Sequence, residues 1–374
     1  MRFVTTCLFG LERLAGEDID SLGYKRTETS DGRVEFEAPE EAIARCNVNF
    51  RYSERLLIKL GSFGAETFDA LFENTKSLPW SDYIGKDDSF PVKGHSIRSK
   101  LFSVPDCQSI IKKAVSVNLG KAYGMERLPE TGVKKQIVFF LMNDTAHIMI
   151  DTTGEGLRKR GYRPESNLAP IRETLAAAMV NLSRPRANVL TVDPMCGSGT
   201  IAIEAALLAS NTAPGLNRAF AAERYGLIPE SAFADARAEA RAKIKPPEMQ
   251  IFGMDIDPGC IEIAKNNSRR AGTEQWVDFR TGDVRRFVSP VKDARGTIVC
   301  NPPYGERLMD KESAAALIKE AGKAISASVP MWQLYFISPD TMFERHFGRR
   351  ADKVRTLYNG TIKCGFYQFY RQKS

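Results

Sequence analysis

From about residue 170 the chain repeats one unit: a short apolar run, a turn of small or acidic residues, then a helix-patterned stretch. The helix "PIRETLAAAMVNLS" precedes the strand "ANVLTVDPM", a Gly-rich turn and the helix "TIAIEAALLAS". The strand "QIFGMDID", the helix "PGCIEIAKNNSRRAG", the strands "WVDFRTGD" and "GTIVCNPP", a helix around 314–328 and the strand "WQLYFIS" continue the pattern. Apolar strands alternating with helices predict a doubly wound, mostly parallel sheet, with ligands at the carboxyl ends of its strands. The tail, "KVRTLYNGTIKCGFYQFYRQ", reads as two strands around Asn359-Gly360, a hairpin signal. A parallel sheet closed by an antiparallel hairpin is not what a dehydrogenase shows. Between the first helix and the second strand, 211–247 is an insertion with a charged helix at 231–245.

The first 165 residues read differently. Strand-like runs at 2–7, 33–38, 56–63, 136–142 and 145–150 alternate with helical patterns at 10–23, in "DALFENTKSLPWSDYI" and at 107–124. This suggests small α+β modules. A length of 374 residues is itself long for a single core.

No apolar run approaches the roughly 20 residues of a membrane span. The N-terminus soon carries Glu12, Glu17, Asp18 and Asp20 and lacks the apolar stretch of a signal peptide. The expectation is a cytoplasmic protein without membrane contact. Seven cysteines form no CxxC pair, and an odd count argues against a closed disulfide framework. With three histidines in the chain, no metal is expected. A net charge of +7 permits a polyanionic partner without requiring one.

Three consecutive strands end in carboxylates. In "VLTVDPMCGSGTIAIEAA", Asp193 closes the strand, and Gly197 and Gly199 let the backbone approach a ligand at the next helix N-terminus. The bare G-x-G-x-x-A pattern also fits nicotinamide enzymes. A carboxylate there, however, repels a pyrophosphate and suits a cationic or zwitterionic ligand. Asp255 of "GMDID" is placed to accept both hydroxyls of a ribose, and Asp257 to cap the following helix. Asp283 of "TGDVRRF" could accept from an adenine amine while Val284 or Phe287 packs on the ring. Capping accounts for any one of these carboxylates as well as binding does. Together they favour a nucleoside.

The fourth strand ends in "IVCNPPYGERL". Two prolines cannot continue a sheet ladder, so the chain leaves the strand in a rigid loop carrying one amide and one phenol. "DPMCGSGT", "GMDID", "TGDV" and "NPPY", in this order, resemble the class I S-adenosylmethionine-dependent methyltransferases of exocyclic amino groups. The resemblance implies that Asp193, Gly197 and Gly199 cradle the methionine part, Asp255 the ribose and Asp283 the adenine. It also implies that "PIRETLAAAM" lines the methionine side. The lone pair of an exocyclic base amine is conjugated with the ring, so the amine is a poor nucleophile. Two acceptors on its protons, the Asn301 side-chain oxygen and the Pro302 carbonyl, draw it toward a pyramidal geometry. Tyr304 supplies a face on which a flipped base stacks. Carbon-5 pyrimidine methylation would need a thiolate after the motif's proline. Cys300 precedes Asn301 and reads as packing.

"TTCLFGLERLAGEDIDSLGY" is similar to the opening of the bacterial 23S ribosomal RNA guanine-N2 methyltransferases, and "FPVKGHSIRSKLFSVPDCQSIIKKAV" resembles a THUMP RNA-binding domain. "DTTGEGLRKRGYR", "APGLNR" and "NPPYGERL", with Glu306 and Arg307, match the same family. The implied organisation is an N-terminal ferredoxin-like segment at 1–60, THUMP at 61–155, a linker at 156–170 and a Rossmann-like methyltransferase domain at 171–374. From Lys86 to Lys135 ten Lys and Arg face five Asp and Glu. Lys93, Arg98, Lys100, Lys112 and Lys113 could track phosphates, with a second cluster of Arg158, Lys159, Arg160 and Arg163. The expected activity is methyl transfer to guanine N2 of RNA, ribosomal before transfer RNA. The alternatives are a transfer RNA guanine-N2 enzyme, an N6-adenine methylase of DNA or RNA, and a non-catalytic RNA-binding assembly factor.

Overall fold

The computed structural model describes residues 1–164, 171–304 and 310–370. The chain forms two compact units. Met1–Cys7, Ala15–Leu157 and Ala219–Ala238 make one; Leu8–Leu14, Arg158–Arg218 and Glu239–Ser374 make the other. No described helix is long and apolar enough to cross a membrane.

The first unit is built on β1 (Arg2–Cys7), β2 (Lys25–Ser30), β3 (Arg33–Glu37), β4 (Ser53–Gly64), β5 (Val92–Ile97), β6 (Ile137–Met142) and β7 (Thr145–Asp151). They form one sheet in the order β2-β3-β1-β4-β7-β6-β5. Every neighbouring pair is antiparallel except β5 with β6. The helices are α1 (Glu12–Ser21), α2 (Ala42–Asn49), α3 (Phe68–Lys76) and α4 (Val104–Tyr123). The expected boundary at residue 60 falls inside β4, which pairs with β1 on one side and β7 on the other. A single sheet therefore runs through both predicted N-terminal modules.

Two expectations need correction. The pattern read as one helix through "DALFENTKSLPWSDYI" breaks: α3 stops at Lys76, and after Pro79 a single tight turn, Trp80–Asp82, follows. Proline cannot extend the helix, and Trp80 is buried with its indole N–H donating to the Thr75 carbonyl at 2.7 Å. β2 and β5 were not expected as strands. β2 is almost wholly exposed, so it shows no apolar alternation. β5 carries Gly94, where a side chain would meet the Phe139 carbonyl oxygen at 2.1 Å.

The second unit holds α5 (Glu173–Leu182), β8 (Leu190–Asp193), α6 (Thr200–Ala209), β9 (Ile251–Asp255), α8 (Pro258–Ala271), β10 (Val277–Thr281), β11 (Gly296–Cys300), α9 (Lys311–Ser328), β12 (Gln333–Ser338), α10 (Phe343–Phe347), β13 (Lys353–Asn359) and β14 (Ile362–Phe369). The charged helix α7 (Ala232–Ala242) lies in the insertion, of which Ala219–Ala238 packs with the first unit. The sheet order is β10-β9-β8-β11-β12-β14-β13. β8 to β12 are mutually parallel and β14 is antiparallel to β12 and β13, as the sequence pattern predicts. The order reverses at β8, where β9 departs to one side and β11 to the other. This brings the ends of β8, β9, β10 and β11 to one edge. Behind them Ile298, Trp332, Phe336, Phe343, Phe347 and Phe369 form a continuous apolar core.

In the first unit, α4 is tied to its surroundings by Lys112. Its ammonium pairs with Glu130, donates to the Phe90 carbonyl and lies 3.6 Å from the centroid of the Phe90 ring. Lys113, the next residue, is exposed and 5.9 Å from the Phe72 ring centroid. Lys112→Met should therefore lower the thermal unfolding midpoint, losing about 1–2 kcal/mol of ion-pair and cation–π interaction, whereas Lys113→Met should leave it unchanged. Scanning calorimetry of the two variants beside the wild type checks this, and equal midpoints for Lys112→Met and wild type would refute it.

Candidate active site

β8 is buried along its whole length and delivers Asp193 to the sheet edge with 2 % of its surface exposed. The Asp193 carboxylate accepts from the Met195 N–H at 3.3 Å and lies beside the Cys300 thiol. Burial dominates these contacts and, with Asp255 nearby, pushes its pKa up to about 7. The turn that follows needs its glycines. Gly197 and Gly199 have φ of +52° and +82°. A side chain at Gly199 would come within 2.9 Å of both Ala264 and the Phe279 ring.

Asp255, at the end of β9, accepts from the Gly197 N–H at 2.9 Å and from the Asp257 N–H at 3.0 Å. One carboxylate thus fixes the glycine turn to the neighbouring strand. Asp257 caps α8, accepting from the Gly259 N–H at 2.8 Å. The capping expected of Asp257 is present in this geometry. Asp283 accepts from the backbone N–H of Arg285 at 2.9 Å and pairs with its guanidinium at 2.8 Å. Those bonds hold its pKa below the ordinary carboxylate value. An adenine amine at Asp283 would share the carboxylate with Arg285. Val284 lines the cavity, whereas Phe287 is turned into the core.

β11 is buried throughout and ends at Cys300. Complete burial and the adjacent Asp193 push its thiol far above its usual pKa, so it is no nucleophile. Asn301 follows. Its side-chain oxygen is buried and has no hydrogen-bond partner among the described residues. Pro302 is buried, while Pro303 and Tyr304 are half-buried. The Tyr304 hydroxyl accepts from the Asn359 side-chain amide at 3.1 Å. Asp193, Gly197, Asp255, Asp283, Asn301, Pro302 and Tyr304 all border one cavity of about 1020 Å³. Gly199 lies behind its wall, under Ala264 and Phe279.

Several residues of this cavity were not singled out from the sequence. Ile256 is 59 % exposed and lines it. An apolar residue between the two aspartates of "GMDID" was the available signal. Asn359 and Gly360 bring the tip of the C-terminal hairpin into the wall. Arg163, assigned to a phosphate-binding cluster, also lines the cavity. Its guanidinium donates to the Ile171 carbonyl and the Thr200 hydroxyl, both at 2.8 Å, and pairs with Glu173 at 3.1 Å.

The remaining expected cations divide. Lys93 and Arg98 are exposed, Arg98 with a φ of +52°. Lys100 is exposed and pairs with Glu66. Lys113 is exposed, and Arg158 borders the cavity. Two of the expected cations are engaged within the protein. Lys112 is committed to Glu130 and Phe90, as described above. Arg160 is 3 % exposed and lies 3.5 Å from Glu204, itself fully buried. A phosphate could reach that guanidinium only by opening the packing around it. Glu306, Arg307 and the start of "PIRETLAAAM" at Pro170 fall outside the described residues.

Known proteins match the chain over almost its whole length. The RMKL-like methyltransferase domain matches residues 160–368, the RlmL ferredoxin-like domain residues 2–57 and the THUMP domain residues 65–151. The protein YpsC of Bacillus subtilis (strain 168) is 40% identical over 98% of this chain and 95% of its own length. The ribosomal RNA large subunit methyltransferase K/L of Vibrio campbellii is 31% identical over 95% of this chain, which spans 51% of that larger protein. Among solved structures, a possible methylase from Clostridium difficile 630 superposes with a TM-score of 0.94 at 43% identity, covering 100% of this chain and 98% of that one. SMU.472, solved as a complex with SAH, gives 0.91 at 38% identity, covering 100% and 98%. With its own ferredoxin-like and THUMP regions ahead of a matched catalytic domain, the chain belongs to the THUMP-containing, RMKL-like methyltransferase family.

Proposed function

We propose that this enzyme methylates the exocyclic N2 amine of a guanine in RNA, with large-subunit ribosomal RNA as its substrate. The methyl donor is S-adenosylmethionine. The observation that carries the amine reading is the Asn301 oxygen: a buried acceptor with no partner among the described residues, on a residue at the mouth of a strand that borders the cavity. An unpaired buried acceptor costs roughly 1–3 kcal/mol, and here a substrate donor would satisfy it. Binding alone does not need that loop, so the same feature argues against a non-catalytic assembly factor. The RNA assignment draws on the THUMP domain and on relatives that carry RNA methyltransferase names.

The chain's own groups fit the donor. Asp193 is a buried carboxylate suited to an ammonium, Asp255 offers its remaining lone pairs to ribose hydroxyls, and Ile256 and Val284 present apolar walls to a base. When bound, the cofactor supplies a sulfonium methyl open to nucleophilic attack. Asn301 and the Pro302 carbonyl accept hydrogen bonds from the two N–H groups of the target amine and turn its lone pair out of conjugation. Tyr304 holds the flipped base by stacking. The gain comes from dipoles already in place before the amine arrives.

Asn301→Ala should leave cofactor and RNA bound and slow transfer by roughly 10²–10³, the cost of removing one positioned dipole. Single-turnover transfer of labelled methyl to total RNA from cells lacking the gene tests this, with product nucleosides identified by mass. Near-wild-type transfer by Asn301→Ala would sink the amine mechanism. Methyl on adenine, or on transfer RNA alone, would sink the substrate assignment and leave the cofactor reading standing.

Asp193 predicts a pH dependence. With a pKa of about 7 before the cofactor binds, the carboxylate is protonated below that pH and cannot meet an ammonium. Affinity for S-adenosylhomocysteine should hold above pH 7 and weaken as pH falls through it, toward roughly tenfold per unit, with a proton released on binding. Calorimetry in buffers of different ionisation enthalpy measures both. Binding that is flat from pH 8 to 6 would place the ammonium elsewhere.

A further inference from the structure

The sequence marks Asn359-Gly360 as a turn, and the turn forms, but Asn359 is not used in it. Asn359 is the last residue of β13 and is registered with Ile362, so Gly360 and Thr361 make the two-residue loop. Gly360 alone carries the left-handed φ, at +67°. Asparagine is favoured in such turns because it tolerates that conformation. Here glycine meets the requirement, and the asparagine side chain is available for something else. It reaches 55 residues back along the chain and donates to the Tyr304 hydroxyl at 3.1 Å. Both residues border the cavity.

The bond is not needed to hold the hairpin. Seven registered pairs join β13 to β14, and five more join β14 to β12. Tyr304, by contrast, follows two prolines on a loop that has left the sheet, and its ring needs a fixed orientation if a base is to stack on it. A hydrogen bond at the hydroxyl acts on the end of the side chain farthest from the backbone, where it restrains ring tilt most. We propose that Asn359 is a positioning residue: the hairpin tip holds Tyr304 by its hydroxyl and so sets the face offered to the target base. This rests on the reading of Tyr304 as the stacking platform. It gives the antiparallel hairpin a task at the active site and gives the phenol hydroxyl a purpose that a phenylalanine could not serve.

The test is a double-mutant cycle in the full-length enzyme, read as the single-turnover rate of methyl transfer to total RNA from cells lacking the gene, at saturating cofactor. Asn359→Ala and Tyr304→Phe should each slow transfer by roughly 2- to 12-fold, the range for one net hydrogen bond. The double variant should be no slower than either single, because both remove the same contact. Calorimetric affinity for S-adenosylhomocysteine should stay within about twofold of wild type in all three. Three outcomes overturn the proposal: a wild-type rate for Asn359→Ala, losses that multiply in the double variant, or a fall in cofactor affinity large enough to account for the slower transfer. Tyr304→Ala separates the two levels. If it transfers normally, the platform reading itself fails. If it is severely slowed while Asn359→Ala is not, only the positioning role is lost.

Discussion

The bond from the Gly197 N–H to the Asp255 carboxylate is the contact on which the catalytic unit depends. It crosses from the turn after β8 to the end of β9, at the place where the sheet order reverses. The glycine turn, with positive φ at two positions, is closed by the Gly199 N–H donating to the Cys196 carbonyl at 2.8 Å, while the Cys196 N–H donates across to the Met254 carbonyl at 2.8 Å. Asp255 adds the side-chain restraint on Gly197 and still has lone pairs left for a ligand. The same carboxylate accepts from the Asp257 N–H, which sets the start of α8. One side chain thus orients the turn, the next helix and the face offered to a ribose.

The reactive loop is fixed from the other side of that reversal. Cys300, at the end of β11, lies beside Asp193 at the end of β8, and the strand that precedes Asn301 pairs directly with the strand that precedes the glycine turn. The buried thiol is chemically inert, and it packs against the Asp193 carboxylate. Its position before Asn301 is what allows this. A cysteine after the prolines would sit in the loop and could not serve the strand beneath it.

Much of the catalytic unit was legible because its physics is local. Apolar runs ending in Asp193 and Asp255, glycines at the one turn that needs them, and prolines that end β11 each leave a mark in the order of residues. The first unit was less legible for equally physical reasons. β2 has almost no buried face to produce alternation, and β5 contains Gly94, kept by the close approach of Phe139 rather than by any turn. The module boundary at 60 came from the resemblance, and a single sheet runs across it because β4 pairs on both sides. Asn359 was recognised as a residue and assigned a different task, since nothing in "YNGT" reports a partner 55 positions away.

The basic run Arg158, Lys159, Arg160 and Arg163 shows where sequence reasoning about charge breaks down. Four cations in six residues suggest a phosphate-binding strip. The structure buries two of them against α5 and α6. Arg163 pairs with Glu173, and Arg160 lies beside Glu204, whose carboxylate also accepts from the Tyr162 hydroxyl at 3.0 Å. Removing either glutamate would leave an uncompensated buried charge, which costs far more than a surface ion pair contributes. The two arginines therefore answer acidic residues that look unremarkable inside "RETLAAAM" and "TIAIEAALL". Charge counted along the chain cannot distinguish a cation facing water from one neutralising a buried helix residue. Only the folded arrangement assigns Arg163 to the cavity wall beside Thr200, and Arg160 to the packing behind it.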